Sequence, residues 1–290
     1  MRSYLYILGA LAVWSTWGLA VRWLGMSAAA IAFYNALFAL FFQGIGLAAA
    51  RRRHDIRLGR DLAASLLLGV FGLINVLSFF YALGKTTVAA ALLTHYTAPV
   101  FVAALAPLML RDRLSKATLI ALGASAAGLS LIFMRGLGID SAAGLAGAAA
   151  GTLSGVAYAF IIIFCRMLSG RNHPLKLAFI QCLIAVAVLG PYVIATGDYR
   201  INAGQALVLA AVGLLHSTLA IVLYLHGIRR VSAQEAGVLG YIEPVLGIML
   251  AFVFLGERPH ALALLGGTVI IASGIAVVGR GAAAAEGGEP

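Results

Sequence analysis

The sequence predicts an all-α integral membrane protein with ten transmembrane helices, arranged as two inverted five-helix repeats. The composition, a series of long apolar windows and an internal repeat lead to this prediction. Of the 290 residues, 62% are hydrophobic and 10% are charged, whereas soluble domains have about 25% charged residues. So few charged side chains cannot cover a water-facing surface, and we therefore expect a bilayer to surround most of the chain.

Ten apolar windows have the length that a membrane helix needs, about 20 residues for a hydrocarbon core of ~30 Å. Their residues are mostly leucine, alanine and glycine without polar alternation, which favours helices over the strands of a barrel. We number these windows as spans 1 to 10, at residues 4–24, 27–49, 62–83, 87–110, 117–134, 143–165, 174–195, 204–227, 231–255 and 260–279.

Basic residues fall mainly on one side of the predicted spans. With a cytoplasmic N-terminus, fifteen of the 20 lysine and arginine residues face the cytoplasm, and the other five are Arg22, Lys85, Arg135, Arg200 and Arg258. The positive-inside rule therefore predicts that both termini are cytoplasmic. The run RRRHDIRLGR at 51–60 is then a membrane-proximal loop, so nucleic acid is not an expected partner despite the net charge of +10.

An internal repeat relates residues 1–137 to residues 138–280. YTAPVFVAALAPLMLRDR (96–113) aligns with YIEPVLGIMLAFVFLGER (241–258), so that Tyr96 matches Tyr241 and Pro99 matches Pro244. Each half contains five spans, an odd number, so the second half enters the membrane from the opposite side. Inverted repeats are typical of secondary transporters with a substrate site near mid-membrane. The small-residue tail at 281–290 is predicted to be a disordered cytoplasmic segment.

The Tyr-x-x-Pro pattern, followed by a long apolar run and Gly-Glu-Arg, resembles the EamA family of the drug/metabolite transporter superfamily. Within that superfamily the chain is most similar to the YddG-type exporters of aromatic and other neutral amino acids. The resemblance implies export across the bacterial inner membrane by alternating access, around a central cavity lined by helices 1, 3, 4, 6, 8 and 9. It also implies a monomer without a cofactor, whose partners are a small-molecule substrate and the lipid bilayer.

Glu243 lies inside an otherwise apolar span, where a carboxylate costs about 2.5–3.5 kcal/mol. We therefore expect it to face the interior of the bundle. Three interpretations are open: a proton-coupling group, a direct ligand for a substrate ammonium, or a structural hydrogen-bond acceptor. Pro99 and Pro244 are expected to kink spans 4 and 9, either as hinges or as packing adjustments.

Polar and aromatic residues deep within the spans are predicted to line the cavity and bind substrate. A mid-span histidine can hydrogen-bond a substrate carboxylate, and Asn75 and Phe79 share one face of span 3 at i, i+4. For each of these residues the alternative is packing in the core. The predicted set is Trp14, Trp17, Asn75, Phe79, His95, Tyr96, Tyr158, His216, Ser217 and Tyr241.

Glycines and cysteines are given structural interpretations. Gly147, Gly151 and Gly155 form a tandem GxxxG ridge, which we expect to serve packing inside the bundle rather than dimerisation. Cys165 and Cys182 lie in apolar segments without paired spacing, so neither a disulfide framework nor a zinc site is predicted. No catalytic or metal-ligating set is predicted either.

Two alternatives to amino-acid export stay open at this point. The first is a broad-specificity drug or metabolite exporter of the same fold, and the second is a membrane-embedded enzyme or a component of a lipid-carrier flippase. An intramembrane enzyme needs converging nucleophiles or metal ligands, and His95, His216 and one glutamate do not make such a set. No ATPase motif is present, so transport is expected to be driven by gradients.

Overall fold

The computed structural model describes residues 2–49, 61–110, 114–134, 141–256 and 258–286. These residues form helices and no strands, and ten helical stretches are long and apolar enough to cross a membrane. The predicted fold class of ten transmembrane helices is therefore confirmed. Asp112, Arg113, Glu257 and the arginine-rich run at 51–60 lie outside the described residues.

The observed helices follow the predicted windows closely. Spans 1 to 5 consist of Arg2–Trp14 with Trp17–Leu24, Ala28–Ala49, Leu62–Lys85, Val88–His95 with Ala98–Leu110, and Lys116–Phe133. Spans 6 to 10 consist of Ala142–Ser169, Pro174–Thr196, Ala203–Leu214 with Leu215–Ala220 and Ile221–Gly227, Ala233–Gly240 with Ile242–Leu255, and Ala261–Glu286.

The last helix differs from the prediction for the C-terminal tail. It continues to Glu286, six residues into the segment that was predicted to be disordered. The segment GAAAAE is rich in alanine, the residue with the highest intrinsic helix propensity, so it extends the preceding span. The prediction of disorder was therefore wrong for residues 281–286.

Spans 4 and 9 are each broken near the middle of the membrane. The first half of span 4 ends at His95 and its second half begins at Ala98, while span 9 breaks at Tyr241. Pro99 and Pro244 fall in the first turn of the second halves. Backbone N–H groups in a first turn have no intrahelical partner, so the N–H that proline lacks costs no helical hydrogen bond there. Complete breaks therefore replace the kinks predicted from the sequence.

Two further spans are irregular at the same depth. Span 1 is interrupted at Ser15 and Thr16, and span 8 contains a π-helical segment, Leu215–Ala220. The Thr218 hydroxyl donates to the Gly213 carbonyl oxygen, 2.9 Å away and five residues earlier in the chain. Short π-helical segments often accompany functional sites, because they redirect side chains within an otherwise regular helix.

The glycine ridge of span 6 packs on span 4. A Cβ added at Gly155 would lie 2.7 Å from the His95 carbonyl oxygen, and one added at Gly147 would lie 2.8 Å from Thr86. One added at Gly151 would overlap the Thr94 hydroxyl. The ridge therefore serves packing inside the bundle, as expected, and brings span 6 against the break in span 4.

The contacts between spans follow the pairing that an inverted repeat requires. Repeat-related spans face each other in the pairs 2 and 7, 4 and 9, and 5 and 10. Spans 3 and 6 pack together, as do their counterparts 8 and 1. Thr87 and Ser232 cap the first helices of spans 4 and 9 through their side-chain oxygens. These features support our proposal that residues 1–137 and 138–280 are two five-helix repeats.

Polar contacts join the loops at the end of the bundle where both termini lie, here called the terminal end. Arg166 donates to the carbonyl oxygens of Ile228, at 3.0 Å, and Arg229. Arg229 donates to the Asn172 carbonyl oxygen at 3.2 Å, and the Asn172 amide donates to Asp61 at 2.8 Å. These bonds connect spans 3, 6 and 8 and the loops that follow spans 6 and 8.

Candidate functional site

A cavity of about 310 Å³ lies among spans 1, 2, 3, 4, 7 and 8. This volume falls in the range of small-molecule sites, about 300–1,000 Å³. The lining combines aromatic rings and small apolar groups with polar but uncharged side chains. The lining residues are Trp17, Ala32, Asn35, Ala36, Gly69, Gly72, Leu73, Asn75, Val76, Phe79, Phe80, His95, Gln181, Cys182, Ala185, Leu189 and Ser217.

One polar wall of the cavity is organised around Ser154, which lies behind it on span 6. The Asn75 amide donates to the Ser154 carbonyl and hydroxyl oxygens, both at 3.0 Å, and the Ser154 hydroxyl donates to the Asn75 carbonyl oxygen at 3.0 Å. His95 Nδ1 lies 2.8 Å from the same hydroxyl. Because that hydroxyl has one proton, the ring donates through Nδ1 in this arrangement, which leaves Nε2 as an acceptor.

The opposite polar wall lies on spans 2 and 8. The Asn35 amide donates to the Ser217 hydroxyl at 2.9 Å, and that hydroxyl lies 3.1 Å from Asn35 Oδ1. Gln43 donates to the Ser217 carbonyl oxygen, which lies in the π-helical segment, at 2.7 Å. Gln181 on span 7 adds a further amide to the lining. The cavity thus offers several neutral hydrogen-bonding groups between aromatic rings.

Five of the predicted residues line this cavity: Trp17, Asn75, Phe79, His95 and Ser217. They come together from spans 1, 3, 4 and 8. The predicted residues outside the lining are Trp14, Tyr96, Tyr158, His216 and Tyr241. Their role in substrate binding stays a prediction, and each has contacts that account for its position.

Trp14 and His216 stabilise the junction between spans 1 and 8. Trp14 Nε1 donates to the His216 carbonyl oxygen at 3.0 Å, and His216 Nε2 lies 3.0 Å from the Thr16 hydroxyl. The edge of the Trp17 ring packs against His216, with ring centroids 5.4 Å apart. These contacts hold the interrupted helix of span 1 against the π-helical segment of span 8.

The resemblance implied that spans 6 and 9 line the cavity, whereas spans 2 and 7 take their place. Span 6 packs so closely on spans 3 and 4 that Tyr158 lies behind His95, with the rings stacked at 5.2 Å. Tyr241 at the break of span 9 is 1% exposed and packs towards Tyr96, with ring centroids 6.4 Å apart. Spans 6 and 9 therefore contribute no residue to the lining of this cavity.

Glu243 faces the interior of the bundle, as expected from its cost in lipid. Tyr96, Tyr158 and Tyr224 lie close enough to its carboxylate to interact with it electrostatically. The carboxylate therefore lies among side chains of spans 4, 6 and 8. Among the residues that the structure describes, no lysine or arginine forms an ion pair with it.

The sequence prediction missed the polar lining residues Asn35 and Gln181. Each is an amide deep within a largely apolar span, and burial of an unpaired amide in a bilayer is costly. That cost could have identified both residues as members of a polar site. Across the described ranges, no three His, Cys, Asp or Glu residues lie close enough to hold a metal ion.

Comparison with protein families defines the class of the chain. The model of the EamA-like transporter family matches residues 1–134 and again residues 145–280. The chain belongs to this family and is a multi-pass membrane transporter. The double match corresponds to the two halves found by the internal repeat.

Individual relatives agree with this assignment. The chain is 30% identical to an uncharacterized transporter of Archaeoglobus fulgidus over 74% of its own length and 76% of the relative. It is 27% identical to the pseudopaline exporter CntI of Pseudomonas aeruginosa over 78% of each chain. A crystal structure with 20% identity superposes with a TM-score of 0.83 over 96% of this chain and 97% of the other, which supports the fold.

Proposed function

We propose that this transporter is a secondary transporter that exports neutral amino acids, aromatic ones among them, from the cytoplasm by alternating access. The uncharged cavity is the observation that supports this proposal most strongly. Its amides and His95 can hydrogen-bond the backbone groups of an amino acid, while Trp17, Phe79 and Phe80 offer aromatic surface for a side chain. A side chain with a net charge would find no opposite charge in this lining.

The proposal includes a location and an orientation. We place the chain in the bacterial inner membrane as a monomer with both termini in the cytoplasm. The distribution of basic residues supports this orientation through the positive-inside rule. Trp17, Asn75, Phe79, His95 and Ser217 are the proposed substrate contacts from the sequence prediction, and Asn35 and Gln181 are added because they line the same cavity.

Counterflow in liposomes tests this function. Vesicles that contain the purified protein are loaded with unlabelled amino acid, and entry of labelled Phe, Trp, Leu, Thr or Asp is followed. Counterflow needs no external driving force, so it reports binding and alternation directly. Saturable entry of Phe, Trp and Leu that exceeds entry of Asp is expected. If folded protein exchanges none of these amino acids, the substrate class is wrong.

A second candidate function is export of a different small metabolite. The relative CntI is named as a pseudopaline exporter, which favours a broader range of substrates within this family. In that case the same counterflow assay fails with every amino acid. A panel of other polar metabolites, applied to the same vesicles, then gives saturable exchange.

A further inference from the structure

The hydrogen bonds around Ser154 determine which atoms of Asn75 and His95 remain free. The Asn75 amide nitrogen donates to the Ser154 carbonyl oxygen at 3.0 Å. A carbonyl oxygen can only accept, so the nitrogen must lie on that side and Asn75 Oδ1 is directed away from it. Because the Ser154 hydroxyl donates its one proton to the Asn75 carbonyl oxygen, His95 donates through Nδ1 and keeps Nε2 as an acceptor. We call Asn75 Oδ1 and His95 Nε2 the acceptor pair.

The acceptor pair is open to the cavity. Neither atom has a hydrogen-bond partner among the described residues, and neither is one of the polar atoms that are buried without a partner. Both atoms are therefore accessible, and both side chains line the cavity. The other lining residues that the structure describes on spans 3 and 4 are apolar. This side of the cavity thus offers acceptors and no donor.

Spans 1 and 2 offer donors to the same cavity. The Trp17 indole N–H can only donate, and in the described part of the chain it has no partner and is not among the buried unpaired atoms. Asn35 uses one N–H and Oδ1 on the Ser217 hydroxyl, at 2.9 and 3.1 Å, and keeps its second N–H. We call Trp17 Nε1 and Asn35 Nδ2 the donor pair. Gln181 keeps a donor and an acceptor, so it does not discriminate between the two kinds of ligand group.

This division of donors and acceptors matches the two ends of an amino acid. An ammonium group only donates hydrogen bonds, and a carboxylate only accepts them. Phe79 lies beside the acceptor pair and lines the cavity, with its ring centroid 4.8 Å from that of His95. An aromatic face attracts an ammonium group through the negative potential of the ring. The aromatic ring and the two acceptors therefore favour positive charge on the same side of the cavity.

We propose that the cavity binds an amino acid in one orientation, with its ammonium group at the acceptor pair and its carboxylate at the donor pair. Asn75 and His95 then receive the ammonium hydrogens, and Trp17 and Asn35 donate to the carboxylate oxygens. This inference rests on the proposed function and deepens it, because it assigns each end of the substrate to its own side chains.

Calorimetric titration with two probes, each of which carries one end of an amino acid, tests the inference. β-Phenylethylamine has a phenyl ring and an ammonium group, and 3-phenylpropionate has a phenyl ring and a carboxylate. Each protein is scored by the ratio of the two dissociation constants, because a general change in the shape of the cavity affects both probes and cancels in the ratio. Both probes are expected to bind the wild type. Failure of either one to bind overturns the proposal.

Two variants should shift this ratio in opposite directions. His95→Phe keeps an aromatic ring and removes an acceptor, so the amine should lose at least about fivefold in affinity relative to the carboxylate. Trp17→Phe keeps an aromatic ring and removes a donor, so the carboxylate should lose at least about fivefold relative to the amine. Tyr81→Phe is the control with an unchanged ratio, since Tyr81 is 52% exposed and lies outside the lining.

A ratio that moves in the same direction in both variants contradicts the proposal, and so does an unchanged ratio in either folded variant. His95→Phe removes a partner of the Ser154 hydroxyl, which can affect folding. Trp17→Phe removes an N–H that has no partner among the described residues, so it should fold. Trp17→Phe therefore decides the question even if His95→Phe does not fold.

The titration and the counterflow assay fail independently. Counterflow of amino acids without the opposite shifts leaves the proposed function intact and removes only the assigned orientation. Opposite shifts without counterflow of any amino acid support the two pairs as binding groups and contradict the proposed substrate.

Discussion

Ser154 shows how one buried hydroxyl can organise a polar surface that it does not itself form. It is fully buried on span 6, yet it hydrogen-bonds Asn75 on span 3 and His95 on span 4, which both line the cavity. Without such a partner, either side chain has several accessible rotamers. The Ser154 hydroxyl therefore fixes the direction in which an amide and an imidazole are presented to the cavity.

Ser154→Ala is expected to impair transport through the orientation of these two side chains. The change removes the hydroxyl that bonds His95 Nδ1 and the Asn75 side-chain amide, at a cost of about 1–3 kcal/mol in unfolding free energy. We expect the KM for phenylalanine counterflow to rise by about fivefold or more, equivalent to about 1 kcal/mol. Ser130→Ala is the control, because the Ser130 hydroxyl bonds only the Ala126 carbonyl within span 5. An unchanged KM in Ser154→Ala contradicts this role.

For individual residues, the sequence predicted which side chains lie near mid-membrane better than it predicted the direction in which each one points. Asn75, Phe79 and His95 line the cavity as predicted from their depth and spacing. Trp14 and His216 do not, because the interruption of span 1 and the π-helical segment of span 8 rotate them towards each other. Such local changes in helical twist do not alter the 3.6-residue spacing of apolar residues along a span. The sequence therefore could not reveal them.

The transmembrane helices differ in regularity, and three of the four irregular ones, spans 1, 4 and 8, line the cavity. Spans 1, 4, 8 and 9 are interrupted or contain a π-helical segment, whereas spans 3 and 6 are continuous. Span 6 is continuous and carries the glycine ridge against the break in span 4. A straight helix packed on a broken one supports backbone groups that would otherwise lack neighbours in the membrane.

Gly155→Ala is expected to destabilise the protein at this contact. The new Cβ would lie 2.7 Å from the carbonyl oxygen of His95, which is backbone and cannot rotate away. We expect a loss of about 1–3 kcal/mol in unfolding free energy, measured as a lower melting temperature in detergent. Gly123→Ala is the matched control, since nothing lies within 4 Å of a Cβ at Gly123. Equal melting temperatures for the two variants contradict the account of the ridge.

The prolines mark the irregular elements in the sequence, but not the form of the irregularity. Pro99 and Pro244 correctly indicated disturbed helices in spans 4 and 9. A proline in the first turn is compatible with a new helix, while one in the interior produces a kink, and the sequence alone does not fix which position it occupies. Pro107 and Pro191 lie inside continuous helices, which illustrates the difference.

For the whole molecule, the repeat relates the two ends of the bundle, and the ends differ in their contacts. At the terminal end, Arg166 joins the end of span 6 to the loop after span 8. At the other end, Gln205 donates to the Leu24 carbonyl oxygen at 3.1 Å, which joins spans 1 and 8. The sequence predicted ten spans and two halves because both depend on long-range patterns, whereas these end contacts depend on individual side-chain conformations.

Labelling of single cysteines tests the proposed orientation of the molecule. Arg171→Cys lies in the loop after span 6 and Asp198→Cys in the loop after span 7, at opposite ends of the bundle. With a membrane-impermeant maleimide, Asp198→Cys should react in intact spheroplasts and Arg171→Cys only after permeabilisation. The native Cys165 and Cys182 are buried and provide the background. The reverse pattern of labelling contradicts cytoplasmic termini.

Occlusion of the cavity tests the central claim, that this cavity is the transport site. Nothing lies within 4 Å of a Cβ at Gly72, which lines the cavity, so Gly72→Phe should fill the space without disturbing the backbone. The matched variant is Gly123→Phe, with similar room on span 5 away from the cavity. The measurement is phenylalanine counterflow at equal amounts of folded protein. We predict at least about tenfold slower counterflow in Gly72→Phe, equivalent to ~1.4 kcal/mol, and near wild-type rates in Gly123→Phe. Wild-type counterflow in folded Gly72→Phe would contradict the claim.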